Sequence, residues 1–266
     1  NSSGVVAADV TGVGTARYSL AAAGYGGDKA IFGYGTTGSV TAITNLVNSS
    51  GVIASDVSGV GTARSDLAAA TYGTDKAIFA YGTTGSAVSL SNLVSNSGVV
   101  GSDVTGVGTA RWALAAASYG DDKAIFAYGY DGSNPVSMTN LVNSSGVVAS
   151  DVSGVGTART DLAATGYGTD KAIFGYGHDG SSGVSITNLV NSSGVVAADV
   201  TGVGTARYGL AAAGYGGDKA IFGYGTTGSK VSMTNLVNSS GVVATDVSGV
   251  GTARSALAAA GFSNAA

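Results

Sequence analysis

The chain has 266 residues, 45 of them glycine, with one proline and no cysteine. Sixteen aspartates, no glutamate and twelve lysines and arginines leave a net charge of −4, which excludes the basic footprint that nucleic-acid binding requires. The missing cysteine excludes a disulfide framework and a thiolate metal site. Asp without Glu is a poor helix composition, while Val, Ile, Thr and Tyr suit strands and Gly, Asn, Asp and Ser suit turns.

Residues 1–16 open the chain with one strand, Gly4–Val10, here called strand d. The start in mid-repeat at Asn1 is what a processed product or a fragment would show. No signal peptide is visible, and no apolar run approaches the length of a membrane span.

From Arg17 a segment is written out repeatedly. The arginine of Gly-Val-Gly-Thr-Ala-Arg falls at Arg17, Arg64, Arg111, Arg159, Arg207 and Arg254, so the step is 47 (64 − 17) or 48 (159 − 111). A fixed period of this size is a repeat architecture. Within the first unit, residues 17–25 form strand a, 26–28 a turn and 29–35 strand b. A turn at 36–39 leads to strand c (40–47), which alternates apolar and polar residues as a half-buried strand does. A turn at 48–50 then leads to strand d (51–57). Full units follow as 17–63, 64–110, 111–158, 159–206 and 207–253, and a last strand a occupies 254–266.

Four short strands with tight turns at this period match a propeller blade. Strand a, rich in Leu-Ala-Ala-Ala, suits the narrow axis of such a fold. Ala-Arg, the Ala-rich strand, and Asp-Lys-Ala-Ile-Phe-Gly-Tyr-Gly (28–35) together resemble the kelch-type β-propeller repeat. Here Gly33-Tyr34-Gly35 stands where that family has Gly-Gly, and strand d has no tryptophan. The resemblance implies an all-β tandem-repeat propeller.

Counting gives six positions, one of them an incomplete blade shared by the two termini. Five blades with two spare strands, or an open β-solenoid or filament whose ends are completed by neighbouring molecules, meet the same count. Adjacent units also alternate. After the arginine the residue runs Tyr18, Ser65, Trp112, Thr160, Tyr208, Ser255. A two-unit period favours an even number of positions.

Candidate functional residues are few. Gly33–Gly38, Gly175–Gly180 and Gly223–Gly228 match a dinucleotide fingerprint, but each enters a hairpin rather than opening a helix. His178, the only histidine, lies in a variable b–c turn and has no triad partners. Asp121, Asp122 and Asp131 form the one acidic cluster outside the series and read as turn residues.

The aromatic positions Tyr18, Trp112 and Tyr208, with Tyr130 and His178 in the variable b–c turns, are the candidate ligand contacts. The series Arg17, Arg64, Arg111, Arg159, Arg207, Arg254 and Asp9, Asp56, Asp103, Asp151, Asp199, Asp246 read as structural clamps. No catalytic residue, metal or cofactor is expected. The function expected is a non-catalytic, multivalent binding or adhesion module for a glycan or surface protein, extracellular or on a virion. The alternative is a structural repeat protein of a fibre, surface layer or virion, self-associating through its incomplete terminal blade.

Overall fold

A computed structural model of the chain describes residues 3, 5, 6, 8, 9 and 11–261. Parts of the first strand d and the end of the last strand a (262–266) therefore lie outside the described residues. The described residues form an all-β structure without helix, arranged as five tandem three-stranded antiparallel sheets. The first holds β1 (Ala21–Tyr25), β2 (Lys29–Gly33) and β3 (Thr44–Val47). The second holds β4 (Ala68–Tyr72), β5 (Lys76–Ala80) and β6 (Ser91–Val94). The third holds β7 (Ala115–Tyr119), β8 (Lys123–Ala127) and β9 (Thr139–Val142). The fourth holds β10 (Ala163–Tyr167), β11 (Lys171–Gly175) and β12 (Thr187–Val190). The fifth holds β13 (Ala211–Tyr215), β14 (Lys219–Gly223) and β15 (Thr234–Val237).

Register is identical from unit to unit, with Ala21 opposite Gly33, Ala68 opposite Ala80 and Ala211 opposite Gly223. The a–b turn holds Gly26 at φ 62° and Gly27 at φ 80°. These two left-handed glycines reverse the chain within a three-residue loop, 26–28, between the paired Tyr25 and Lys29.

All four expected strands are shorter than the sequence reading: strand b ends at Gly33 rather than 35, and strand c starts at Thr44 rather than 40. Strand a starts not at Arg17 but at Ala21, because Ser19 sits at φ 54° and turns the chain. Strand d, expected over 51–57, is not a continuous strand and meets β3 only at two bridges, Thr44↔Val57 and Val47↔Ile53. Three steps on β3 (44 to 47) face four on the other segment (53 to 57), so one residue is extra. That is a bulge, which bends the segment and redirects side chains. The redirected side chain is Asp56, whose Oδ1 accepts from Asn45 Nδ2 of β3 at 2.8 Å.

The cores lie between successive sheets. Ala21, Ala23, Tyr25 and Ile31 of the first pack on Leu67, Ala77, Phe79 and Val94, which belong to the second. Phe79, Phe126, Phe174 and Phe222 are each 0% exposed, and burying such a side chain is worth roughly 2–3 kcal/mol.

The left-handed residues two places after each arginine join one another. Asp66 N–H donates to Ser19 O at 2.9 Å, Ala113 N–H to Asp66 O at 2.9 Å and Asp161 N–H to Ala113 O at 2.9 Å. Gly209 N–H donates to Asp161 O at 2.8 Å, Ala256 N–H to Gly209 O at 2.9 Å, and Ser19 N–H to Ala256 O at 3.2 Å. The six hydrogen bonds return to their starting residue.

Candidate recognition face

The arginine series builds the scaffold under this face. Arg64, Arg111, Arg159 and Arg207 are each 0% exposed. Nη2 of Arg17, Arg64, Arg111 and Arg207 donates to an Asn Oδ1 on the third strand of the same unit at 2.6–2.7 Å. Nη1 reaches the carbonyl two residues back, as in Arg64 to Thr62 O at 3.0 Å. The Asn amide passes on to the aspartate, and the aspartate accepts from the threonine before the arginine. Asp103 takes Asn92 Nδ2 at 2.9 Å and Thr62 Oγ1 at 2.6 Å.

The aspartate partner is thus not the one eight residues upstream of each arginine. It lies in the fourth segment of the same unit: Asp56 for Arg17 and Asp151 for Arg111, each 3.9 Å away. The clamp closes a unit on itself rather than joining two units. Neighbours are joined by a different contact, the guanidinium lying over the tyrosine of the preceding unit. Arg64 Cζ is 4.4 Å from the Tyr34 ring centroid and Arg111 Cζ 4.3 Å from that of Tyr81. Arg254 repeats the clamp across the whole sequence, with Nη1 donating to Asp9 Oδ1 at 2.9 Å.

Above this scaffold, the position after each arginine pairs with the b–c turn. The bridges are Tyr18↔Thr36, Ser65↔Thr83, Trp112↔Tyr130, Thr160↔His178 and Tyr208↔Thr226. All five candidate ligand contacts therefore share one face. Tyr18 is 55% exposed, and Trp112, Tyr130, His178 and Tyr208 are half-buried. Strand parity would place Tyr18 beside Leu20 in the core, but the left-handed Ser19 between them breaks that alternation.

The structure brings four of the five into two pairs. The Trp112 and Tyr130 rings lie 5.0 Å apart at 59°, and His178 meets Tyr208 of the next unit at 5.1 Å and 81°. Tyr18 stands apart, joined only to Thr36 by backbone hydrogen bonds of 3.1 and 3.0 Å. His178 Nδ1 accepts from Gly180 N–H at 3.1 Å, which leaves Nε2 as the ring's donor in the neutral imidazole. Asp179, adjacent in sequence, turns away and accepts from Ser181 and Ser182 N–H, each at 2.8 Å. Those N–H groups hold its carboxyl below the usual range. Asp131 caps its own turn in the same way and is also lowered.

A depression of about 260 Å³ is lined by Trp112, Ala113, Tyr130, Thr160 and Asp161. A second, of about 500 Å³, continues from it over Tyr130, Asn134, Pro135, Thr160 and His178. Asp161 is open to water at its tip yet hemmed in by protein. That crowding raises its pKa, the Asp66 carboxylate adds to the rise, and the Thr160 hydroxyl opposes it. Thr160 Oγ1 donates to Asp161 Oδ2 at 2.9 Å, and Ser65 Oγ to Asp66 Oδ2 at 2.9 Å.

Asp66, Thr160 and Asp161 were not among the candidate contacts. Their signal is the Ser/Thr-Asp pair after Arg64 and Arg159, which alternates with Tyr-Ser, Trp-Ala and Tyr-Gly after Arg17, Arg111 and Arg207. Aromatic and hydroxyl–carboxylate units thus alternate over the first five positions of the hydrogen-bonded cycle, and the sixth carries Ser255-Ala256 without a carboxylate.

The acidic cluster is not brought together. Asp121 and Asp122 lie before β8 and Asp131 beyond its other end, with Asp122 bound to Lys123 Nζ at 2.7 Å. No group of three or more metal-binding side chains occurs among the described residues. No protein-family model matches the chain, and no curated protein matches it significantly.

Proposed function

We propose that this chain is a kelch-like β-propeller of six positions, and that its b–c turn face is a non-catalytic, multivalent carbohydrate-binding surface. The fold reading rests on the six-membered hydrogen-bond cycle and on the Arg254–Asp9 clamp between the two ends of the sequence. The recognition reading rests on one observation: the Trp112 and Tyr130 rings share a depression with the Asp161 carboxylate and the Thr160 hydroxyl.

Sugars present apolar C–H faces and a rim of hydroxyls. Rings accept the former and a carboxylate the latter. Three aromatic units on one rigid array raise avidity for weak ligands. Such a surface suits a protein outside the cell or on a virion.

Trp112 is the only tryptophan, so its fluorescence reports the site directly. Oligosaccharides found on a glycan array are expected to shift its emission. Replacing Trp112 and Tyr208 by Ser, the residue already present at 65 and 255, should leave the melting curve near wild type and weaken array binding at least tenfold. Full binding by that variant moves the site elsewhere.

A structural role as a fibre or surface-layer component is the second reading. It is favoured by the outer valines Val52, Val99, Val147, Val195 and Val242, which are 60–66% exposed. Light scattering that grows with protein concentration, without any glycan ligand, would support it.

A further inference from the structure

The sixth position holds Asp9 and the segment near 254–261, with no counterpart of the second and third strands among the described residues. The two sheet faces beside it are correspondingly bare. Ile31, Ile78, Ile125 and Ile173 are 0% exposed, whereas Ile221 is only half-buried. On the other side Phe32 is half-buried, while Phe79, Phe126, Phe174 and Phe222 are 0% exposed.

Missing contacts define the absent partner more closely. Tyr34, Tyr81, Tyr128 and Tyr176 each meet the phenylalanine of the next unit at 5.2–5.5 Å, and Tyr224 has no such ring among the described residues. A Cβ placed on Gly33 or Gly175 would lie 2.8 Å from the next phenylalanine, whereas one on Gly223 meets only its own Thr234, at 3.4 Å.

The turn glycines Gly26, Gly73, Gly120 and Gly168 donate N–H to an aspartate carbonyl of the next unit at 2.7 Å. Gly216 lacks that bond among the described residues. The asparagine that binds every other arginine is absent at Arg254, whose side chain is 42% exposed.

We infer that this gap is a docking slot for a β-hairpin of the repeat's own sequence, equivalent to the second and third strands of a complete unit. The occupant is defined by what the flanking faces lack: a phenylalanine over Gly223 and Tyr224, an aspartate carbonyl for Gly216, and an asparagine between Arg254 and Asp9. Residues 216–237 carry this set in Asp218, Phe222 and Asn235. The interface would continue one that the chain already forms four times between its successive sheets. An edge strand that extends a sheet with side chains in matching pockets is a known recognition mode. This inference concerns the rim and is separate from the b–c turn face.

The test adds a synthetic peptide of residues 216–237, labelled with a dye, to the intact 266-residue protein. Saturable binding with a rise in Tm of about 5 °C is expected. A peptide carrying Phe222→Ser, or a protein carrying Arg254→Ala, should bind at least tenfold more weakly. Because a free hairpin is itself poorly ordered, a second arm places a copy of residues 215–237 after Gly261 in one chain, where the same rise is expected.

Stabilisation in either arm that is lost with Phe222→Ser upholds the inference. Stabilisation that survives this change, or no stabilisation in both arms, overturns it. So does a dimer of the protein alone that Phe32→Ser and Ile221→Ser dissolve, since a second intact copy would then fill the slot.

Discussion

Each buried arginine is a cation without water; in Arg64, Arg111 and Arg207 Nε, Nη1 and Nη2 all donate, whereas Nε of Arg159 has no hydrogen-bond partner among the described residues. Burial lowers the pKa of Arg111, and the Tyr81 and Asp151 charges oppose the drop. Nε donates to Tyr128 O at 2.9 Å, Nη1 to Thr109 O at 3.1 Å and Nη2 to Asn140 Oδ1 at 2.6 Å. Arg111→Ala strands these acceptors, so a loss of roughly 3 kcal/mol is expected in denaturant unfolding. Arg254→Ala, at an exposed clamp, should cost less than half as much.

The tyrosines stacked beneath Arg64, Arg111, Arg159 and Arg207 titrate late. Burial is the main cause that pushes Tyr81, Tyr128 and Tyr176 up to about 12. A raised folded-state pKa gives stability that is intact below the unfolded value near 10 and lost as pH climbs through the folded value. Tm should therefore fall between about pH 10 and 12, in step with tyrosinate absorbance.

The aspartates act at the other end of the scale. Hydrogen bonds from Thr252 and Arg254 take Asp9 down to about 2. Its contribution is intact above the usual carboxylate value and disappears as pH drops toward 2, so Tm should fall there as well. Asp161 has the opposite sign. Its raised carboxyl favours the fold most when protonated, so its own contribution to Tm should rise as pH falls through that raised value, while affinity for the proposed glycan should weaken.

At the level of the element, the Gly-Val-Gly-Thr-Ala-Arg signature is a turn shaped around a carboxylate. Gly108 sits at φ 76°, and a Cβ there would collide with Asp151 Oδ1. Gly108→Ala should cost at least about 2 kcal/mol, from the left-handed backbone alone, with the clash added to it. Chemical denaturation of the single variant measures it.

The turn positions were legible because glycine, asparagine and aspartate have local conformational reasons to be there, and the strand cores were legible from their alternation. What the pattern did not reveal was set by contacts distant in sequence. The left-handed Ser19 or Asp66 is an ordinary residue held in that conformation by its neighbour's carbonyl. The bulge before Asp56 is visible only once Asn45 lies opposite it. For the same reason Tyr18, Trp112 and Tyr208 could be named as contacts, while Asp161 beside them could not: its role comes from the cycle that places it next to Trp112.

For the whole molecule, the Asp9–Arg254 clamp makes the two ends of the sequence part of one unit. Asp9→Asn keeps the shape but removes the charge. The melting transition should move down by a few degrees, and dyes placed near residues 3 and 261 should separate at a lower denaturant concentration than the loss of the Trp112 signal. Simultaneous transitions would mean that the clamp adds nothing beyond the rest of the structure.

The inner hydrogen bonds carry a further consequence. Of the two links beside the incomplete position, Ala256 to Gly209 at 2.9 Å is as short as those between complete units, and Ser19 to Ala256 at 3.2 Å is the longest of the six. Because the cycle of links is unbroken, the chain on both sides of the incomplete position is tied to its neighbours by backbone hydrogen bonds, with one bond longer than the rest. A frame tied in this way is ordered in advance, so the proposed hairpin would bear most of the entropic cost of docking.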